Sequence, residues 1–489
     1  MGRTKSCGSV LDNWCTLCFN NFSYVESKMT TEEKIKNRRI GIIGMARSGL
    51  AAAKLAAKLG GQVLVSDSAE ESKLLEQISE LRKLSIPFET DGHSENLLGC
   101  DYLVLSPGVP LNIEILKKAQ KKGIPIFSEI EFGYWVCKGT IIAVTGSNGK
   151  TTTTTLIGEI FKAAGYNTFV CGNIGLPFCE VADKIGKHDI AVVEISTFQL
   201  ETIEDFKPHV AVILNLSPDH LDRHGSFNAY KALKYRIAEN QTDTEFLVLN
   251  EEDKSLTTDN IKSGAERLLF TTRDKSEMKV FVSDNKLVSN FDSNKQNIID
   301  INEILIQGPH NLQNAVAAVC VSSIFKIDSK VIKNVLSTFS GVEHRLEKIG
   351  QVAGVNFVND SKATNVESVC YAIRSVAKPI YLIAGGRDKG APYDKIAEIG
   401  KDKIKEIYAI GEAKEKIFEQ LGKTIPVHLI DSLENAVQLS FEKATPGGTV
   451  LLSPGCASFD MFKNYEHRGQ IFKEAVASLK GKRDEKVNS

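Results

Sequence analysis

Residues 141–155 read IIAVTGSNGKTTTTT, an apolar strand running into a glycine-bracketed turn, a lysine and five threonines. That is the outline of a phosphate-binding loop. Backbone N–H groups around Gly146, Ser147, Asn148 and Gly149 can wrap a polyphosphate, Lys150 can neutralise its outer charge, and the Thr151 hydroxyl can hold a magnesium ion. The G-x-x-x-x-G-K-[ST] form needs glycine at 144, where this chain has Val144, so the loop is the shorter T-G-S-N-G-K-T form starting at Thr145. A strand-to-helix turn that binds nothing would leave a Lys and a Thr in register after a strand without a reason.

The chain of 489 residues exceeds a single core and points to about two to four domains. It is 42% hydrophobic and 25% charged, a globular balance, with 60 basic against 61 acidic side chains and no dense Lys/Arg block in the main body. Broad nucleic-acid or membrane-surface binding is therefore disfavoured. No apolar stretch approaches the roughly 20 residues of a bilayer span. Ten cysteines scattered singly fit a reducing cytosol better than a disulfide scaffold. The first 28 residues differ in character: an M-G-x-x-x-S start formally matches a myristoylation signal, and Cys15 and Cys18 have zinc-knuckle spacing without partners to complete a site. The expectation is a disordered or mis-started leader over 1–36, with Met29 as the natural start.

From Arg39 short apolar runs alternate with helical stretches, the pattern of parallel sheets covered by helices. RIGIIGMARSGLAAAKLAAKLG (39–60) predicts a strand to Gly44, a turn through Met45 to Ser48 and a helix from about Gly49, followed by QVLVSD ending on Asp67. The middle glycine of G-x-G-x-x-G is Ala46, whose Cβ obstructs the backbone approach of a pyrophosphate, so a nucleotide-bearing substrate suits this block better than NAD. A further strand ends in Ser106-Pro107-Gly108. In the second block, DIAVVEIS delivers Glu194 and HVAVILNLSPDH delivers Asp219 and His220, where Mg²⁺ ligands of NTPases sit. His220 and His224 have the spacing of a helical zinc pair, but Pro218 and Gly225 around them point to a loop. FNAYKALKYRIAENQ (227–241) predicts a helix with Tyr230, Leu233 and Ile237 on one face and Lys234 bordering it, and 250–300 predicts an antiparallel excursion. The third block carries Asp360, Lys362, Thr364, Lys389 and Ser458 at strand ends, as a binding edge does.

TGSNGKT, EISTFQLE, NLSPDHLDRH, GPHNLQNAVAA, EHRLE, NDSKATN, GGRDKG and SPGCASFDMFKNYEHRG occur in this order between about Arg39 and Leu479. Together they resemble the Mur ligase family, ATP-dependent enzymes that build the peptide stem of bacterial peptidoglycan. NDSKATN and SPGCASFDMF are most similar to the D-glutamate-adding branch, and the D-N-P-[RA] motif of the diaminopimelate- or lysine-adding enzymes is absent. The resemblance implies an α/β fold of three domains: Rossmann-like over 37–137 for the UDP-substrate, a central P-loop ATPase-type mononucleotide-binding domain over 138–341, and a Rossmann-like, amino-acid-binding domain over 342–489. It implies that the carboxylate of UDP-N-acetylmuramoyl-L-alanine attacks ATP, and that D-glutamate then displaces phosphate from the acyl phosphate. ATP and two Mg²⁺ are the implied cofactors, and the protein is expected to be a cytoplasmic monomer binding neither nucleic acid nor membrane.

Carried onto matching positions, the resemblance implies ATP contacts from Gly146, Ser147, Asn148, Gly149, Lys150, Thr151, Thr152, Asn311, Asn314, Arg345 and Asp360. Thr151, Glu194, His220 and a carbamylated Lys234 are the implied metal side, and Lys150, Glu194, His220, Lys234 and Arg345 the catalytic set. Substrate positions are Arg47, Ser48, Asp67, Ser68 and Gly108 for the uridine end, Asn173 and His220 for the muramoyl part, and Lys362, Thr364, Lys389, Ser458 and Tyr465 for D-glutamate. Two departures stand out: Tyr465 is more often Phe, and Arg47-Ser48 replaces a smaller pair. The rival readings are a folylpolyglutamate synthetase of the same family, a P-loop switch, for which Asn294-Lys295-Gln296-Asn297 is only a poor N-K-x-D guanine motif, and an NAD oxidoreductase built on the first block.

Overall fold

Three apolar alternations become three sheets in the computed structural model, which describes residues 29–256, 260–291, 294–388 and 390–487. The expected leader up to Lys28, with its myristoylation pattern and cysteine pair, and the expected site residue Lys389 lie outside the described residues. The described chain divides into two compact units between Phe127 and Ser128.

In the first unit the strands run in the order Phe88–Glu89, Gln62–Ser66, Arg39–Ile43, Tyr102–Leu105, Ile126–Ser128. The three in the middle pair in parallel, with Ile40, Ile42 and Ile43 fully buried. The helix after the first strand spans Arg47–Lys58, so Arg47 and Ser48 form its first turn rather than the preceding loop. Ala46 takes the extended cap position, and Gly49 has no room for a Cβ because the Gly44 carbonyl lies against it. This last glycine therefore serves helix-on-strand packing.

The second unit holds two sheets. Nine strands run in the order Asn294–Asp300, Lys286–Phe291, Val280–Ser283, Glu266–Phe270, Phe246–Asn250, Val210–Ile213, Thr140–Thr145, Ile190–Glu194, Thr168–Gly172. Residues 250–300 thus extend the sheet of the phosphate loop. Glu266–Phe270 joins in parallel and only the last pairings are antiparallel, which corrects the expected excursion. The helices Lys150–Ala163 and Pro309–Ile324 pack on this sheet around Ile142, Val212, Ile160 and Val319. The other sheet orders Glu347–Val352, Val355–Asn359, Thr449–Leu452, Ile380–Gly385, Ile404–Ile410, Val427–Leu429, parallel except for its first edge strand. In both sheets the loops expected to carry chemistry follow the carboxyl ends of buried parallel strands, the usual ligand edge of such folds. Among the described residues no helix is long and apolar enough to cross a membrane.

Candidate functional site

The Thr140–Thr145 strand turns through Gly146–Gly149 into the Lys150–Ala163 helix. Gly149 caps that helix at φ +82°, where an L side chain is strained, and an added Cβ would run into the Asn314 side chain. The loop is laced to the segment after the Val210–Ile213 strand. Ser147 and Asn148 amides donate to the Asn215 carbonyl and Oδ1 at 2.9 and 2.8 Å. Ser147 Oγ donates to the Ser217 carbonyl at 3.0 Å, accepts from the Ser217 amide at 2.9 Å and meets Tyr230 OH at 2.8 Å. Asn215 occupies two of the four loop amides expected to wrap a phosphate, which leaves Gly146 and Gly149 of that set and the amides at the start of the helix, which have no acceptor in a preceding turn. Lys150 Nζ curls back over the loop, donating to the carbonyls of Gly146 and Ser147 at 2.8 and 2.9 Å.

Glu194, 1% exposed, ends the neighbouring strand. Its Oε1 accepts from Asn173 Nδ2 at 2.7 Å, while Oε2 is buried without a hydrogen-bond partner. Burial pushes this carboxyl upward, but Lys362, Lys150, Asn173 and the Thr151 hydroxyl outweigh it and hold it below the usual carboxylate range. Lys234, expected to border its helix face, is buried with Nζ 3.3 Å from Thr145 Oγ1 and 4.9 Å from the Tyr230 ring centre. Burial, then the Lys150 charge, depress its ammonium far below the normal lysine range, against the pull of Asp219 and Glu194. A short Leu221–His224 helix follows His220, which itself stands at φ +50° with Nε2 3.8 Å from Asp219 Oδ2. His224 is turned to Thr197 Oγ1, 3.0 Å from Nε2. The spacing of a helical zinc pair therefore forms no joint metal site. Among the described residues the one dense acid/histidine group is Glu343, His344 and Glu347, and Lys473 already bridges both of its carboxylates.

The last sheet delivers cations to the same place. Burial lowers the Lys362 ammonium to about 8 against the pull of Glu194, and its Nζ lies 5.3 Å from the Tyr465 ring centre. Its largest favourable partner is thus the Glu194 carboxylate of the neighbouring sheet. Arg345, whose Nε is buried without a partner, is felt electrostatically by both Lys150 and Asp360. Asp360 is buried, accepts from the Leu346 amide at 3.2 Å and Ser453 Oγ at 2.9 Å, and is pushed up to about 6 by burial against Arg345. Both of its oxygens are engaged internally. Arg468 was not singled out in the sequence, although NYEHRG contains it, and it is fully buried. Its guanidinium donates to Ser361 Oγ and carbonyl at 3.0 and 2.8 Å and to the Cys456 carbonyl at 3.2 Å, tying the NDSKATN loop to the SPGCAS loop. An arginine is almost never fully buried without such partners.

Two cavities open between the two sheets' loops. One of about 210 Å³ is lined by Gly149, Thr152, Asn311, Asn314 and Arg345, among others. The other, about 760 Å³, brings together Asn148, Asp219, His220, Thr364 and Asp388. Ser458 is buried and lines neither, its carbonyl accepting from Met461 and Phe462 amides, and the Tyr465 carbonyl accepts from Ser361 Oγ at 2.8 Å. In the first unit Asp67 engages both oxygens locally, with the Met45 amide at 2.6 Å and the Ala69 amide at 2.9 Å, while Arg47, Ser68 and Gly108 are exposed at the carboxyl edge. A groove of about 550 Å³ in that unit is lined by Arg39, Gln62 and Cys100, at the opposite ends of the strands.

Comparison with known proteins finds matches along most of the chain. Residues 38–128 match the description Mur ligase MurD-like, N-terminal domain, residues 144–322 the Mur ligase middle domain, and residues 344–456 the Mur ligase, glutamate ligase domain. The chain is 42% identical over 467 residues to a UDP-N-acetylmuramoylalanine–D-glutamate ligase of Chloroherpeton thalassium, covering 92% of this chain and 100% of that one. It is 43% identical over 454 residues to the enzyme of the same name from Thermoanaerobacter sp., covering 91% and 100%. The crystal structure of a UDP-N-acetylmuramate-alanine ligase from Thermotoga maritima shares the fold, with a TM-score of 0.58 at 19% identity over 90% of this chain and 100% of that one.

Proposed function

Because the chain belongs to the Mur ligase family, we infer that it is an ATP-dependent ligase joining D-glutamate to UDP-N-acetylmuramoyl-L-alanine, with release of ADP and phosphate. The observation that carries this reading is the convergence of Lys150 and Glu194 from one sheet with Arg345 and Lys362 from the other. A carboxylate attacking a triphosphate brings anions together, and two lysines facing one buried acid with an arginine beside them supply the positive charge that step needs.

The carboxylate oxygen of the muramoyl nucleotide attacks the γ-phosphorus, and ADP leaves. Lys150 and the amides at the helix start hold the phosphates, and Arg345 neutralises charge on the transferring group. The D-glutamate nitrogen then attacks the acyl phosphate carbon, the carbon–oxygen bond to phosphate breaks, and the amine proton goes to solvent. Thr364, Lys389, Ser458 and Tyr465 are assigned to D-glutamate, with Lys362 set between that side and Glu194. Arg47, Ser48, Ser68 and Gly108 are assigned to the uridine end and Asn173 to the muramoyl part. The unpartnered Glu194 Oε2 and the Thr151 hydroxyl form a hard oxygen donor set suited to Mg²⁺, with His220 assigned to a second ion. When bound, Mg²⁺ screens the phosphate oxygens. Lys234 is held toward the neutral amine, the form that attacks CO₂; loss of a proton then leaves a carbamate, which replaces a repulsive cation by an anion. The working assignment is one domain each over 37–137, 138–341 and 342–489, in a cytoplasmic monomer.

Phosphate release with ATP, Mg²⁺ and UDP-N-acetylmuramoyl-L-alanine across candidate amino acids tests the reading. The expected result is release that needs both the muramoyl nucleotide and D-glutamate. Release without any acceptor would point to a nucleotide switch, and turnover of folate in place of the muramoyl nucleotide to a folylpolyglutamate synthetase.

A further inference from the structure

The turn that presents Arg345 is held in an unfavourable backbone, and two side chains around it have no part in the chemistry above. His344 and Leu346, on either side of Arg345, stand at φ +63° and +45°. A histidine tolerates the left-handed region better than most residues, whereas a leucine there is strained by roughly 1–2 kcal/mol. Such strain persists only where the surroundings over-determine the turn, and it gathers at functional sites.

The surroundings here can be named. The His344 amide donates to Glu347 Oε2 at 2.9 Å and the Leu346 amide to Asp360 Oδ1 at 3.2 Å, so a carboxylate catches the N–H of each left-handed residue. The Arg345 amide donates to the Val342 carbonyl at 3.1 Å, and the His344 carbonyl accepts from the Lys362 amide at 3.0 Å. Glu347 opens the edge strand Glu347–Val352 and faces Asn359 across the antiparallel pairing. Asn359 is fully buried. Its Nδ2 donates to the same Glu347 Oε2 at 3.0 Å and to the Gly469 carbonyl at 3.3 Å and lies 2.9 Å from His344 Nδ1, while its Oδ1 accepts from the Ser361 amide at 3.1 Å. The His344 ring lies so close to Gly469 that a Cβ there would run into it. Glu347 Oε1 faces Lys473 Nζ, 3.5 Å away. Against this closely tied backbone, Arg345 Nε is buried with no hydrogen-bond partner, and the residue lines the cavity that Gly149 and Thr152 also line.

We propose that Glu347 and Asn359 are positioning residues for Arg345: one Glu347 oxygen, itself held by the Asn359 side chain, ties down the His344 amide and keeps the strained turn that aims the guanidinium at the transferring phosphoryl group. This rests on the ATP-dependent reading above and adds the residues that keep Arg345 in place. A guanidinium whose Nε has no protein partner takes its direction from the backbone that carries it, and a misplacement of about 1 Å in a transfer site costs on the order of 10² in rate. Within EHRLE, Arg345 meets the ligand and Glu347 holds the backbone.

The experiment measures kcat and the three KM values in the full chain, together with equilibrium binding of inorganic tripolyphosphate, for Glu347→Ala, Glu347→Gln and Asn359→Asp, each also in an Arg345→Ala background. Glu347→Ala is expected to lower kcat by about 10–100-fold and to weaken tripolyphosphate about tenfold, with KM for D-glutamate and for the muramoyl nucleotide within about twofold. Glu347→Gln keeps an oxygen acceptor for the His344 amide and is expected to recover most of the loss, to within about threefold in kcat, which separates hydrogen bonding from the charge facing Lys473. Asn359→Asp keeps the acceptor for the Ser361 amide but sets a second carboxylate oxygen against Glu347. It is expected to act as Glu347→Ala does, and it carries the test if Glu347→Ala does not fold. In the Arg345→Ala background neither Glu347→Ala nor Asn359→Asp is expected to weaken tripolyphosphate further, since a residue that acts through Arg345 then has nothing left to position. The proposal is overturned if Glu347→Ala leaves kcat within about threefold, if it weakens tripolyphosphate as much without Arg345 as with it, if all three KM values rise together, or if Glu347→Gln loses as much as the alanine variant. If the wild type releases no phosphate with these substrates, the ligase reading fails by itself, and tripolyphosphate binding in the two backgrounds still decides whether Glu347 acts through Arg345.

Discussion

Lys234 is the side chain whose chemistry is most constrained by its surroundings. A buried ammonium beside Lys150, with a threonine hydroxyl and a tyrosine ring as its nearest partners, is an expensive arrangement unless the group is neutral or modified. Lys234→Ala is therefore expected to lower kcat by about 10²–10³-fold, with partial rescue by short carboxylic acids that supply the missing anion. Full activity of the alanine variant, or rescue by amines in place of acids, would remove the carbamate. Arg468 makes a different kind of prediction because it touches no reacting group. Replacing it by Met strands the carbonyls of Ser361 and Cys456 in the interior, at a cost of about 2–4 kcal/mol. Thermal melting should fall accordingly, and KM for D-glutamate should rise while KM for ATP changes little, since Ser361 and Cys456 lie in the two loops assigned to the amino acid.

The Glu129–Val136 helix shows how a short element can be held by carboxylates rather than by apolar area. Glu131 accepts from the amides of Glu204, Asp205 and Phe206 at 2.9, 3.0 and 3.0 Å and from Trp135 Nε1 at 2.8 Å. Glu129 accepts from the Cys179 amide at 2.6 Å, keeps one oxygen unpartnered and is pushed up to about 7 by burial, against hydrogen bonds from Cys179 and Gln199. A carboxyl whose folded pKa lies above its unfolded value of 4.5 binds more protons when folded, so stability falls as pH rises from about 4.5 to about 7. Glu129→Gln keeps the acceptor and removes the ionisation. It should melt with the wild type at pH 4 and higher than the wild type at pH 8, by a ceiling of about 3 kcal/mol; equal melting at both pH values would mean that Glu129 ionises normally. The buried parallel strands of this chain were legible in the sequence because uninterrupted runs such as IIAVT and IAVVE have no other place to go. So were the residues at their ends. The lacing of the loop by Asn215 and the burial of Arg468 were not, because each depends on a partner far along the chain: Asn215 meets Asn148 across 67 residues and Arg468 meets Ser361 across 107. Lys234 lies four residues after the buried Tyr230 in the same helix and shares its face, a place that a lysine almost never takes without a partner, so residue type argued against what the period allowed.

The second unit assembles its site from two sheets, and the cations it collects repel one another. Lys150 and Glu194 come from the nine-stranded sheet, and Lys362 and Arg345 from the other. Lys362 feels Arg345 and Lys150 as repulsive against the attraction of Glu194 and then Glu466, so an entering anion relieves the repulsion among the cations. A polyphosphate relieves all three cations at once. ATP, and tripolyphosphate alone, should therefore stabilise the unit, and most strongly at low salt, where the cations attract them most. The gain is about 2.7 kcal/mol at a hundredfold excess over Kd, seen as a rise in the melting temperature that shrinks as ionic strength increases. Lys362→Met removes one repulsive partner and its attraction to Glu194 together. It should leave the melting temperature of the free protein within a few degrees of the wild type but cut the shift produced by tripolyphosphate. A wild-type shift that does not depend on salt, or a Lys362→Met variant with an undiminished shift, would show that the cations are satisfied within the protein and that the two sheets are held together by their apolar contacts alone.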